Sequence, residues 1–386
     1  MAEIVLKRLL DTTLREGEQA PGVYFTLEER LNIAKMLHKV VGEKLYLELG
    51  IAYNPIYRPN VEETLRYLKE EGLRVKTLLH ARALKEDVDA SYECGPWGLV
   101  IYSPTSDEQL RYKFGNKPYS WVLSQIREAI HYAKREIGFE CVEYGFEDAT
   151  STPLEKILEA IEIVTSAGAD VVRIADTKGQ MDPWSYGDLV RRIVEETGVE
   201  IDVHCHNDRG FALANAIAGL KAGATGVHTS VRGLGERAGI TDLAALVENL
   251  HSLYGVDTGV DFKGLPSLYR YVATCTGMPI PKDYPILGED VRTHKAGGHQ
   301  IAVLRQLEET GKATAYETID FTRYGLDREF EFGPMQSKEL TRYYLKRLGI
   351  DPREEIVDRI TEKIRKLSGE RGRNLQKVEI HGILEE

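Results

Sequence analysis

The chain has little cysteine: Cys94, Cys141, Cys205 and Cys275 are the four in 386 residues, and no two of them form a CxxC pair. That scatter excludes a disulfide framework and a thiolate zinc site, so the thiols are read as reduced. Long apolar runs are missing too, since none approaches the roughly 20 residues that a membrane-spanning helix requires. The amino terminus, MAEIVLKRLLDTT, lacks the charged-then-apolar-then-small layout of a secretory signal. These absences predict no membrane partner and a cytoplasmic location. Positive charge is in deficit, with 50 Lys and Arg against 61 Asp and Glu and a formal net charge of −11. A nucleic-acid surface needs a basic face, so no nucleic-acid partner is expected, and an anionic ligand must find a local basic pocket.

What the sequence does contain is alternation. Short apolar, β-branched runs alternate with longer amphipathic segments, the pattern of βα units around a parallel sheet. Eight such units fit before residue 256, with strands expected near 4–12, 44–50, 74–80, 98–103, 141–147, 170–176, 199–206 and 226–233. Thr26 with Glu29 reads as a capping box, and Thr152 and Asp182 each precede a proline suited to a first helical turn. Gly72, Gly168, Gly223 and Gly255 stand where left-handed helix caps belong. Eight units in about 255 residues is the size of a TIM barrel. A doubly wound open sheet is disfavoured because the glycine-rich turn after the first strand is absent. Beyond residue 256, Pro266, Pro279, Pro281 and Pro285 mark a change to helices and turns. The expected architecture is an α/β protein: a (β/α)₈ catalytic barrel over 1–256 and a mostly helical region over 257–386.

In such a barrel the active site forms at the carboxyl ends of the strands. Strand 7 ends in His204-Cys205-His206-Asn207-Asp208, and alternation along a strand puts both histidines on one face. Strand 1 ends in Asp11-Thr12-Thr13-Leu14-Arg15-Glu16, which brings a carboxylate and an arginine to the same mouth. A single histidine is more often a hydrogen-bonded core residue. Two at i and i+2 facing a carboxylate make a catalytic divalent metal site with open positions, Glu16, His204 and His206 being the ligands. Other strand ends are polar as well: His80-Ala81-Arg82, Tyr102-Ser103, Glu147-Asp148, Asp176-Thr177 and Glu236-Arg237. The last of these reads equally well as a salt bridge closing the barrel.

The segments DTTLREGEQAPGV (11–23), HCHND (204–208), GLGERAGIT (233–241) and HKAGGHQ (294–300) resemble the DRE-TIM metallolyases, and among them the acyl-CoA Claisen-condensing synthases of the homocitrate and 2-isopropylmalate type. The resemblance implies that Glu16, His204 and His206 bind the metal (zinc, manganese or magnesium) and that Arg15 neutralises the developing enolate charge. It implies that Thr177 holds the carboxylate of a 2-oxo acid. Glu147 is a catalytic glutamate on this reading, and His299 with Tyr316 belongs to the catalytic set, His299 coming from a neighbouring subunit of a homodimer. His299 with Glu147 is the expected base couple. The implied chemistry is condensation of acetyl-CoA, as co-substrate, with the 2-oxo acid, followed by thioester hydrolysis.

Within that family His80 and Ile240 point to homocitrate synthase, with His80 and Arg82 as the cationic end of a pocket for 2-oxoglutarate. Glu143 points the other way. It stands where homocitrate synthases place an arginine for the distal carboxylate, and an acid there is expected to repel that group. Gly145 replaces a serine, and GPMQSKEL at 333–340 departs from the turn that relatives show. The alternatives are 2-isopropylmalate or citramalate synthase, a lyase of the same superfamily, which would lack HKAGGHQ, and a non-enzymatic sensor of metal and oxo acid.

Overall fold

The computed structural model describes residues 3–385, which form two compact units divided after Pro279. In the first, eight parallel strands follow one another around a closed barrel: β1 Arg8–Asp11, β2 Leu45–Glu48, β3 Lys76–Arg82, β4 Gly98–Pro104, β5 Cys141–Glu147, β6 Val171–Asp176, β7 Ile201–Cys205 and β8 Gly226–Thr229, with β8 pairing back onto β1. The helices of this unit are α1 Leu27–Val41, α2 Arg58–Glu70, α3 Lys85–Cys94, α4 Asp107–Tyr112, α5 Tyr119–His131, α6 Leu154–Ala167, α7 Pro183–Thr197, α8 Ala212–Lys221, α9 Leu243–Tyr254 and α10 Leu265–Thr276. No helix among the described residues is long and apolar enough to cross a membrane.

Local chemistry sets these boundaries. The Thr26–Glu29 capping box forms on α1, and Asp182 caps α7 ahead of Pro183. Gly168 and Gly255 are left-handed caps of α6 and α9, conformations that L-residues with a Cβ rarely adopt. β8 ends before residue 233 because Arg232 (φ 64°) and Gly233 (φ 63°) turn the chain out of the sheet. The first unit runs past residue 256 because α10 carries an apolar stripe, Leu265, Leu268, Tyr269 and Val272, that is fully buried. The Tyr269 hydroxyl donates to Asp242 (2.9 Å) and accepts the Ala244 N–H (2.6 Å) at the start of α9, which ties α10 to the barrel's last helix.

Strand register decides what fills the barrel. Inward positions of β1, β3 and β4 form an apolar cluster of Leu10, Leu78 and Val100, with Tyr46 and Trp97 packed on it. Glu143, Arg173, Asp202 and His228, on β5 to β8, are instead charged or polar and buried. These four, with Glu48 of β2, belong to one ladder of alternating charge. Arg8 holds Asp202 at 2.8 Å, Arg173 holds Glu143 at 2.5 Å and approaches Glu48 at 3.4 Å, and Arg15 holds Glu48 at 2.8 Å and pairs with Glu16. Each buried charge costs several kcal/mol unless paired, so every rung depends on the next.

The second unit contains α11 Gly297–Thr310, α12 Lys338–Arg347, α13 Glu354–Arg371 and α14 Lys377–Glu385, with a two-stranded parallel ribbon of β9 Thr293–His294 and β10 Glu329–Phe330. Its own core gathers Leu304, Phe332, Leu340, Val357 and Ile364.

Gly226 exposes the ladder to a direct test. A Cβ at this position would stand 1.9 Å from Asp202 Oδ1, so Gly226→Ala must drive Asp202 off Arg8. Unfolding in urea is expected to show a loss of about 3 kcal/mol, the scale of a broken buried ion pair. A change below about 0.5 kcal/mol, the scatter of neutral surface substitutions, would show that the rung bears no stability.

Candidate active site

A cavity of about 340 Å³ opens at the carboxyl end of the barrel. Of the nine barrel residues singled out from the sequence, seven line it: Arg15, Glu16, His80, Glu147, Thr177, His204 and His206. His204 and His206 reach it from β7 and the residue beyond it. Their Nε2 atoms are 3.3 Å apart, and Glu16 oxygens lie 4.0 Å from His204 and 3.9 Å from His206. Ligand atoms bonded at about 2.0–2.2 Å to one ion have such separations. The loop after β8 fixes this group from above: the Glu236 N–H donates to Glu16 Oε1 (3.1 Å), and Ile240 bridges the backbone of His206. Arg237 clamps Asp208 (2.7 and 3.0 Å) and the Thr177 carbonyl (2.6 Å), so the Glu236-Arg237 turn both closes the barrel and touches the site.

The electrostatics suit metal binding. Burial, reinforced by His206 and His228, keeps His204 well below its ordinary pKa, and burial lowers His206 against the pull of Glu16. Both rings are therefore neutral donors near pH 7. Burial would raise Glu16, but Arg15, His206 and the Glu236 N–H outweigh it and hold the carboxylate below its usual range. Two neutral imidazoles and an ionised carboxylate, converging on one point, fit a divalent ion.

A second trio, Glu143, Asp202 and His228, also brings its ligand atoms within 4.8 Å of one another. Both of its carboxylates are already held by arginines, Asp202 by Arg8 and Glu143 by Arg173. It belongs to the ladder.

Two of the nine residues do not reach the cavity wall. Arg82 is committed to Asp87 through two hydrogen bonds (2.8 and 2.9 Å) and stacks on Tyr53. It lines a neighbouring cavity of about 250 Å³, with Phe114 and Trp121. Glu143 lies one layer below, turned to Arg173. The expected repulsion of an anionic ligand therefore requires correction, because the acid is paired with a guanidinium that itself lines the cavity. His80 also differs from the expected cation. Burial and Arg15 push its pKa down to about 4 against the pull of Glu48, so its Nδ1–H donates to Glu48 (2.6 Å) from a neutral ring. Glu147 is paired with Lys113 (2.6 and 2.9 Å), and the Thr177 hydroxyl accepts the Asp148 N–H (2.8 Å). His299 and Tyr316 lie in the second unit, their rings stacked at 3.9 Å.

Sequence reasoning passed over Arg173, Glu48 and Lys113. The first two carried a signal, each being the one charge of an otherwise apolar stretch (VVRIA, LYLE) at the inward parity.

A model of the family described as HMGL-like matches residues 7–272. The chain belongs to this family. Among curated HMGL-like relatives, the homocitrate synthase AksA of Methanocaldococcus jannaschii is 39% identical over 363 residues, covering 94% of this chain and 86% of that protein. The homocitrate synthase of Pyrococcus horikoshii is 37% identical, covering 92% and 94%, and the 2-isopropylmalate synthase of Sulfolobus acidocaldarius 39%, covering 83% and 82%. The crystal structure of the Bacillus subtilis HMG-CoA lyase superposes with a TM-score of 0.63 at 19% identity, covering 73% of this chain and 97% of that one, which shows the shared barrel.

His80 offers a pH test. An unfolded histidine binds a proton near pH 6.5, whereas folded His80 does so only near 4. The folded state therefore loses stability as pH falls from about 6.5 towards 4. His80→Gln is expected to flatten the dependence of unfolding free energy on pH in that window by up to about 1.4 kcal/mol per pH unit. Parallel curves for wild type and variant would contradict a neutral buried ring.

Proposed function

We propose that this protein condenses acetyl-CoA with a 2-oxo acid and hydrolyses the thioester, and that the oxo acid is 2-oxoglutarate, which makes it a homocitrate synthase. The observation that carries the reading is the convergence of Glu16, His204 and His206 beside the buried guanidinium of Arg15, in a chain 35–39% identical to homocitrate synthases over most of its length. Glu16, His204 and His206 would hold a divalent ion, which would supply Lewis acidity towards the 2-oxo acid.

The chain's own groups do the rest. A base removes a proton from the acetyl methyl, the carbanion adds to the keto carbon, and the resulting alkoxide takes a proton from the acid group to become the alcohol. Water then cleaves the thioester, releasing the CoA thiol and leaving a tertiary alcohol flanked by carboxylates. Arg15, fixed by Glu48 and Glu16, offers positive charge where the enolate oxygen develops and needs no reorganisation to do so. Thr177, anchored by the Asp148 N–H, orients the substrate carboxylate. Glu147, held by Lys113 at the cavity mouth, and His299 with Tyr316 are the proposed acid–base groups, a histidine being suited to proton transfer near neutral pH.

The decisive assay is release of CoA thiol from acetyl-CoA against 2-oxoglutarate, 2-oxoisovalerate and pyruvate. His204→Ala and His206→Ala are each expected to lose bound metal, measured by elemental analysis, and more than about 100-fold in turnover. Full turnover in a metal-free His204→Ala/His206→Ala protein would end the metal assignment.

We further propose a homodimer as the working form, with His299 supplied by the partner copy. Mixing Glu16→Ala with His299→Ala subunits is then expected to restore part of the activity. A monomeric mass by light scattering, together with no rescue, would count against it.

A further inference from the structure

The buried charge at the bottom of the cavity says which oxo acid fits. Arg173 of β6 is 3% exposed, yet it lines the cavity. Its Nε donates to Glu143 of β5 at 2.5 Å and its Nη2 to Glu48 of β2 at 3.4 Å, while its Nη1 has no hydrogen-bond partner among the described residues. Glu48 does not cancel it alone, because Arg15 and His80 draw on the same carboxylate. The neighbour on β5, in register with Arg173, is Gly145, where a Cβ would stand 3.7 Å from Arg173 Cδ and 3.4 Å from Tyr102 Cβ.

Depth along the strands gives the spacing. His204 is in register with Ala175, so Arg173 is two residues, or about 7 Å, deeper than the metal ligands. A 2-oxo acid whose keto group sits at Glu16, His204 and His206 directs its side chain down this path. A branched aliphatic chain would leave a buried guanidinium end facing hydrocarbon, which is costly. A carboxylate three bonds beyond the keto carbon would meet it with a charge-assisted hydrogen bond.

We infer that Arg173 is the specificity-determining residue that receives the side-chain carboxylate of a dicarboxylic 2-oxo acid, with Glu143 and Glu48 as the residues that position it. The inference rests on the condensing reading above and extends it. The counter-ion Glu143 stands on β5, and the arginine it holds stands on the next strand.

The test uses the metal-loaded enzyme and three variants: Arg173→Met/Glu143→Met, which removes both partners and strands neither charge; Glu143→Gln, which keeps the guanidinium but weakens its anchor; and Glu143→Arg/Arg173→Glu, which transposes the pair. The double Met variant is expected to lose about 10- to 100-fold in kcat/KM for 2-oxoglutarate, with calorimetric binding of 2-oxoglutarate weakened to match and a clearly smaller loss for 2-oxoisovalerate. Glu143→Gln should raise KM for 2-oxoglutarate more than it lowers kcat, and the transposed pair should recover part of the preference. Equal losses for all three oxo acids in the double Met variant would overturn the inference, as would a wild type that condenses 2-oxoisovalerate or pyruvate in preference to 2-oxoglutarate. Both results leave the condensing reading intact. Absence of thiol release with every oxo acid would instead remove that reading and the inference with it.

Discussion

The barrel depends on pairing charges that are largely withdrawn from bulk water. Glu16, Arg15, Glu48, Arg173 and Glu143 form one continuous series of alternating sign, and Asp202 with Arg8 extends it towards the amino ends of the strands, with His228 lying between Glu143 (3.5 Å) and Asp202 (3.7 Å). Taken singly, each of these groups would be expelled from a protein interior or would neutralise itself. Held in sequence, they fix one another's rotamers, and the barrel can carry a polar interior on β5 to β8 while Leu10, Leu78 and Val100 pack the opposite wall. The small residue on β8 follows from this: Gly226 is without a Cβ because Asp202 occupies the space.

Glu48 is the junction of the series. It is fully buried, and although burial opposes ionisation, Arg15, Arg173 and His80 together hold it well below the usual carboxylate range. One of its oxygens serves Arg15, which also touches the metal-ligand carboxylate Glu16, and the other serves His80 and Arg173. The two ends of the cavity therefore share one anion, and a change in the position of either arginine is felt by the other through it. This is the physical reason to treat the metal group and the cavity floor as one constellation. Networks of this kind are not additive under mutation, which is why the paired and transposed variants are more informative than single deletions.

Much of this is legible in the sequence. The βα alternation located all eight strands to within a few residues, and HCHND and LREGE identified three groups that converge in space, because strand alternation and the barrel's polarity translate directly into side-chain position. Arg82 does not line this cavity, for a reason the strand pattern does not carry: Asp87, five residues on at the start of α3, holds it. His80 lines the cavity, but its charge is not legible in the sequence, because burial and Arg15, which is remote in sequence, lower its pKa to about 4. Glu143 was read against a substrate when its nearest charge was Arg173. The parity of VVRIAD places Arg173 inward, but a lone arginine in a buried strand takes its meaning only from partners on other strands.

That last point bears on how a barrel of this family can move a recognition group. Gly145 and Arg173 are register partners on adjacent strands, and both face the interior. Glu143 lies two residues before Gly145 on the same face, in register with Val171. A long, forked side chain rooted at either strand can reach the same volume, because neighbouring strands are only about 4.8 Å apart while an arginine extends further than that. What cannot be left unchanged is the counter-charge. An arginine leaving β5 for β6 takes its anion requirement with it, and an acid on the vacated strand meets that requirement at hydrogen-bonding distance. Two substitutions of opposite sign then keep the interior paired and keep a guanidinium on the cavity wall. The identity of the residue at one aligned position is therefore a poor guide to what a ligand meets there, and the pair of inward positions on adjacent strands is the unit that should be compared.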